Sequence, residues 1–443
     1  MRIAWACPLD RRSAIGRDSL RVCAELARNG HVVHVVATDL HPNTEPLKSD
    51  LAVFYWRDLA ADWLINHADV LIVAIGDNYS FHSGLFGLVG KIPTIGVFHD
   101  FFLYNLFSGW LWNEGLTPDD VRGALHDDII CEIYGSHLAK PALEARAGRL
   151  ELAEIASAFP MTEWIGGLCD GALCHSSFYL DRISSACPGP ISEAAMPVAG
   201  RGIAPLDRID QQKVRALTVG FMNPNKCVDA VIRAIGGSPA LSDHLEYHLA
   251  GAIEPSEAER LRFLAKDLNY KGLKILGAVT DEQLNQELED ADIICGLRRP
   301  VLEGASGSAV EALLAGRPLI VADAGFYADL PDDLVFKVSR AVTPDEIRDQ
   351  LLKLADDPLM RIKVGTEARA WAESRFRLDH YVAALEELIG NTIESVATTK
   401  MASRLARDLA DFGISADDPS VEAIAAVLSG LFGGKHSVGL ASA

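Results

Sequence analysis

Glu303 and Glu311 are separated by seven residues, in a stretch that also carries Arg298, Arg299, Gly304, Ser306 and Gly307. Ser306 has the side chain of an N-cap, Val310, Leu313 and Leu314 recur at helical spacing, and Gly316 with Pro318 supplies a stop. The apolar runs Ile293-Ile294-Cys295 and Leu319-Ile320-Val321-Ala322 flank this helix, so the order is strand, loop, helix, strand. A helix start offers unpaired N–H groups and partial positive charge, and two arginines add full charges. The guest they suit is an anion, most simply a diphosphate. The glutamates do not suit that guest. Carboxylates accept hydrogen bonds from alcohols, and Glu311 sits roughly 7 Å along the helix at about 1.5 Å per residue. The combined ligand is a diphosphate flanked by sugar and ribose hydroxyls.

A second phosphate grip opens the later half of the chain. Leu217-Thr218-Val219-Gly220 ends a strand at a glycine, and the turn that follows brings Lys226 to the start of a helix. In the first half, strand ends carry Gly76-Asp77-Asn78 with His82, His99-Asp100, and His175-Ser176-Ser177. A histidine at such an end can exchange hydrogen bonds with a sugar hydroxyl, with Asp100 fixing its ring or standing near the acceptor. The first strand leads to Gly16 without a G-x-G-x-x-G pattern, which disfavours a tightly held dinucleotide. Asp290-Ala291-Asp292 runs from a helix end into a strand, where caps and solvated charge explain it, so no metal site is expected.

The pair Glu303 and Glu311 at a helix head, followed by Pro318-Leu319-Ile320-Val321-Ala322-Asp323, resembles the retaining glycosyltransferases of family 4, which have the GT-B fold. Leu297-Arg298-Arg299-Pro300, Ser306-Gly307 and Leu330-Pro331-Asp332-Asp333 are similar to a bacterial subgroup of that family. The resemblance covers about residues 1 to 390. It implies two Rossmann-like domains facing across a cleft and transfer of a sugar from a nucleotide-diphosphate donor to an acceptor hydroxyl, in cell-surface polysaccharide or glycoconjugate synthesis. It assigns Glu303 to the transferred sugar, Glu311 to the ribose, Lys226 to the diphosphate and His99 to the sugar from the first domain. Gly16, Gly220, Gly304, Ser306 and Gly307 complete the donor contacts. It implies neither cofactor nor metal, the departing phosphate assisting a front-face attack. Many members carry an Arg where Phe221 stands. Arg298 is the first choice to replace it and Arg299 the second. Competing readings are a GT-B nucleotide-sugar epimerase and a catalytically silent GT-B protein binding a glycan or partner. The absent Arg favours the silent protein; Lys226, Glu303 and Glu311 oppose it.

The elements that must position these residues follow from composition and pattern. With 443 residues, 49% hydrophobic and 23% charged, the chain suits two or three α/β domains. A net charge of −20 argues against nucleic acid as a partner. Eight cysteines without a Cys-x-x-Cys pair read as buried thiols. No apolar run approaches the roughly 20 residues of a membrane span, and a cytoplasmic protein is expected. The expected parts are an acceptor domain over 1–205, a donor domain over 206–376, a crossover helix over 377–390 and a helical tail over 391–443. The first helix is expected over Arg17 to Asn29, the second over Leu59 to His67, and a late pair over Leu378 to Ile389 and Met401 to Asp411. The aromatic run Phe101 to Trp112 has two readings: a buried helix, or an apolar face for a lipid-linked acceptor or the inner membrane. A glycan or a small molecule are the other acceptors. The tail is left with packing or self-association.

Overall fold

The computed structural model describes residues 1–42, 45–113, 119–209, 213–415 and 418–432. Two compact units are present: Met1–Ala194 with Leu378–Ala443, and Ala195–Arg377.

The first unit is built on seven strands: β1 (Arg2–Cys7), β2 (Val32–Ala37), β3 (Ala52–Tyr55), β4 (Val70–Ile75), β5 (Thr94–Phe98), β6 (Gly171–Cys174) and β7 (Ile191–Glu193). Their order is β3-β2-β1-β4-β5-β6-β7, and every pairing is parallel. β4 explains why: Val-Leu-Ile-Val-Ala-Ile is buried at all positions, as a strand covered by helices on both faces requires. The second unit repeats the plan with β8 (Val214–Val219), β9 (Leu245–Ala250), β10 (Leu273–Gly277), β11 (Ile293–Cys295), β12 (Leu319–Ala322) and β13 (Phe336–Val338), ordered β10-β9-β8-β11-β12-β13. In each sheet the chain runs outward on one side and then restarts on the other, at β1/β4 and at β8/β11. The loops that leave the carboxyl ends of those strands diverge and open a crevice.

The division between units falls at Ala194/Ala195, inside the Pro- and Gly-rich stretch 188–205. Residues after it are tied to the second unit by guanidiniums. Arg369 Nη1 donates to the Ile203 carbonyl at 2.8 Å and the buried Arg317 to that of Ala204 at 3.0 Å.

Some element bounds differ from expectation. The first helix spans Ala14–Arg28, starting earlier because Ser13 caps it by accepting from Gly16 N at 3.1 Å. The second is only Trp63–His67, since Leu59 is extended. In the aromatic run the helix Tyr104–Asn113 buries Leu106, Phe107 and Leu111, and Gly109 packs on Tyr79. Leu378–Asp411 is one helix of 34 residues where two were expected. Gly390 costs about 1 kcal/mol relative to Ala inside a helix, but burial of Leu388, Ile389 and Thr392 on the first unit carries the helix through it. A further helix covers Pro419–Phe432, and the glycine-rich end expected after it lies outside the described residues. Among the described residues no helix is long and apolar enough to cross a membrane.

Gly16 was expected to let a donor approach closely. The structure gives it a packing reason. A Cβ there would lie 2.2 Å from the Pro8 carbonyl oxygen and 2.9 Å from Leu47 Cδ1. Gly16→Ala is therefore expected to reduce the unfolding free energy of the first unit by about 1–3 kcal/mol, read from the urea midpoint at unchanged slope.

Candidate active site

Three charged side chains converge where β8 and β11 end. Lys226 lies in a tight turn, Pro224–Lys226, and is buried, its ammonium donating to the Val219 carbonyl at 2.5 Å. The turn is possible because Gly220 adopts φ +98°. A Cβ on Gly220 would also stand 3.0 Å from Lys226 Nζ. Arg298 is buried beside it. Its Nε meets Glu303 Oε1 at 2.9 Å, and Nη1 donates to its own chain at Leu297 O at 2.8 Å. The two loops are knitted by Arg299 N donating to Asn225 O at 2.7 Å. The Arg299 guanidinium points elsewhere, to Ala341 O at 3.1 Å. Of the two arginines, Arg298 is the one that enters the cluster. Phe221 is 53% exposed and contributes no charge there.

The cluster brings two basic side chains together with one carboxylate, all buried or partly buried. Burial, reinforced by Arg298, holds the Lys226 pKa well below the ordinary lysine value against the pull of Glu303. Burial pushes Glu303 upward, but Arg298 and a hydroxyl bond from Tyr327 outweigh it, and its pKa lies below the ordinary value. Tyr327 donates to Glu303 Oε1 at 2.7 Å and is fully buried. Sequence reasoning missed this tyrosine, although its place just after the carboxyl end of β12 was a usable signal.

Ser306 caps the helix Gly307–Leu314, accepting from Ala309 N at 3.4 Å. Gly304 is buried in the preceding loop. A Cβ on Gly307 would meet only Met196 Cε, at 3.8 Å, so packing does not demand this glycine. Glu311, one turn on, has Oε1 bonded to Arg201 Nε at 2.8 Å. Arg201 was also missed, because nothing in its Pro- and Gly-rich surroundings marks it.

In the first unit the histidines form a relay. His175 Nδ1 lies 3.2 Å from the Ala194 carbonyl, which can only accept, so that nitrogen carries the proton. Burial lowers the His175 pKa to about 4, leaving the ring neutral with a bare Nε2. His99 Nδ1, 3.3 Å from that nitrogen, must then be the donor. Burial first, then His175 and His82, hold the His99 pKa well below the ordinary value, so its Nε2 is a buried acceptor without a partner. The His99 ring is thus held by His175, where Asp100 was expected. Asp100 Oδ2 instead accepts from Asp77 N at 2.8 Å, and Asp77 takes the Asn105 and Leu106 amides at the start of the helix Tyr104–Asn113. Those carboxylates hold loops. His82, buried, donates Nδ1–H to Ala74 O at 3.0 Å and has a pKa lowered to about 4 by burial.

A cavity of about 840 Å³ lies at the opposite rim of the second unit, lined by Arg208, Lys213, Arg215, Glu246, Asp290 and Asp292. Its charges neutralise one another in pairs such as Arg215 with Asp290 at 2.9 Å. The β8/β11 crevice is therefore the candidate site.

Residues 207–371 match the model of a family described as glycosyl transferases group 1. No curated protein matches the sequence. Among solved structures the chain is similar to sucrose-phosphate synthase from Thermosynechococcus elongatus, at TM-score 0.60 and 12% identity, over 87% of this chain and 98% of that one. WaaG, a glycosyltransferase involved in lipopolysaccharide biosynthesis, gives 0.58 and 14%, over 88% and 100%. HepE of Anabaena, in complex with UDP and glucose, gives 0.55 and 13%, over 88% and 99%. These likenesses show the GT-B fold.

Two outcomes follow from the geometry. Glu303→Gln leaves the buried Arg298 without its counter-charge and is expected to destabilise the second unit by roughly 2 kcal/mol or more in chemical denaturation at pH 7. Because the native pKa of Glu303 is depressed, this contribution is full above the unfolded value and is lost as pH falls through the native one. In the first unit, nitrogen-detected NMR at pH 6 is expected to show His99 and His175 neutral, protonated on Nδ1. A protonated Nε2 on either ring would refute the relay.

Proposed function

We propose that the chain is a nucleotide-sugar glycosyltransferase with the GT-B fold, working with retention of anomeric configuration and without a metal. The observation that carries this reading is the meeting of Lys226, Arg298 and Glu303 at the β8/β11 crevice, beside a helix N-terminus. A leaving diphosphate needs positive charge that strengthens as the glycosidic bond breaks. Lys226, Arg298 and the amide dipoles at Gly307 supply it in a site screened from water. Lys226 is suited to the task because it is buried, where a phosphate oxygen meets its ammonium with little competition from water.

The sugar's C1–O(phosphate) bond breaks, the acceptor oxygen bonds to C1 on the same face, and the acceptor proton passes to the departing phosphate oxygen. No side chain is assigned as a nucleophile. Glu303, oriented by Arg298 and Tyr327, takes hydroxyls of the transferred sugar, and Glu311 those of the ribose. His99, through its bare Nε2, accepts a hydrogen bond from a hydroxyl. The solved complex of HepE with UDP and glucose supports a uridine nucleotide as the first donor to try. The involvement of WaaG in lipopolysaccharide biosynthesis supports a cell-surface glycan or glycoconjugate as the product.

A panel of nucleotide sugars, screened by thermal shift and then by hydrolysis without acceptor, tests this. At least one donor is expected to bind, and Lys226→Ala to lower kcat/KM for it by about 100-fold or more. The released sugar should first appear with the donor's anomeric configuration by NMR. A Lys226→Ala variant that binds and turns over donors as the wild type does would refute the assignment.

A further inference from the structure

We propose that Arg201 acts with Glu311 as a guanidinium–carboxylate pair that reads the ribose diol of the nucleotide, and that Arg201 sets ribose selectivity by positioning Glu311. The inference rests on the donor-site reading above and names a residue that reading does not use.

Glu311 sits on the second turn of the helix Gly307–Leu314 and is partly buried. A glutamate side chain on a helix has several rotamers and points reliably only when something holds it. Arg201 is what holds this one. Its Nε bonds Glu311 Oε1 at 2.8 Å, and its Nη1 reaches Asp281 Oδ1 at 3.2 Å and Asn285 Oδ1 at 3.0 Å. Asp281 and Asn285 lie on the first turns of the helix that follows the β10 loop, so Arg201 joins the heads of two helices that rise from the same rim of the sheet. It is placed by its own segment, whose carbonyls at Ile203 and Ala204 are gripped by Arg369 and Arg317.

A plain staple between helices would use up its polar atoms. This one does not. Among the described residues, Glu311 Oε2 and Arg201 Nη2 make no hydrogen bond. One remaining acceptor and one remaining donor, carried by a single ion pair, match a vicinal diol. One hydroxyl donates to Glu311 Oε2 and the other accepts from Arg201 Nη2. A deoxyribose lacks one of these hydroxyls and leaves a charged, half-buried group unpaired, which is the situation in which hydrogen bonding discriminates best.

UDP, GDP and ADP are titrated against the full chain by calorimetry, and the tightest binder is compared with its 2′-deoxy counterpart. The wild type is expected to favour the ribonucleotide by about tenfold. Arg201→Ala and Arg201→Lys are each expected to cut that preference below about threefold, since a lysine cannot reproduce the forked geometry. Arg201→Lys keeps the aliphatic stem and the charge, so the comparison survives if the alanine variant does not fold. A preference that persists in the variants, or an equal loss of affinity for both nucleotides, overturns the role of Arg201 and leaves the donor site standing. A wild type that binds none of the three nucleotides, or that binds ribo and deoxy forms alike, overturns this inference together with the assignment of Glu311.

Discussion

Two cations taken out of water repel each other and each forgoes its hydration, so Lys226 and Arg298 can share a crevice only if the surrounding chain compensates both. The second unit is arranged to do this. The Val219 carbonyl takes the lysine, Glu303 takes the arginine, and Tyr327 fixes the glutamate that would otherwise swing to solvent. Burial, reinforced by Arg298, nevertheless holds the lysine's pKa well below its ordinary value.

Topology brings these groups together with little help from local sequence. A parallel sheet requires every connection to cross back over a face, which places all strand carboxyl ends and all following helix starts on one rim. Reversal of strand order at β8/β11 keeps the two loops from covering each other. The glycines complete the arrangement in different ways. Gly220 needs its left-handed backbone to turn Lys226 inward, whereas Gly307 is not required by packing and leaves the helix head open.

The first unit shows the opposite use of buried polar groups. Asp77, Asp100 and His175 are all engaged inside the protein, holding a helix start, a loop and a ring. What emerges is a single bare nitrogen on His99, kept neutral by burial and kept in one tautomer by a carbonyl two bonds away in the relay. A neutral acceptor suits an alcohol. A charged imidazolium in the same place would not accept from one.

The parallel α/β class, the strand–loop–helix unit around Glu303 and Glu311, the Ser306 cap and the glycine stop were legible from the chain, because each depends on residue types within a few positions of one another. The lysine turn after β8 was legible for the same reason. Which of Arg298 and Arg299 faces the cluster was not, since adjacent side chains leave an irregular loop in directions set by the Asn225 and Ala341 carbonyls that meet them. Arg201 and the His175 relay were invisible because each acts on a partner distant in sequence. The packing reason for Gly16 was not legible, since a carbonyl eight residues earlier bears on it only after the first helix folds back over β1. The fusion of the last helices was likewise decided by burial of Ile389 and Thr392, against a local glycine signal to stop. Short-range chemistry is written in the order of residues, while the partners that aim and tune it are chosen only when the sheets bring remote segments within bonding distance.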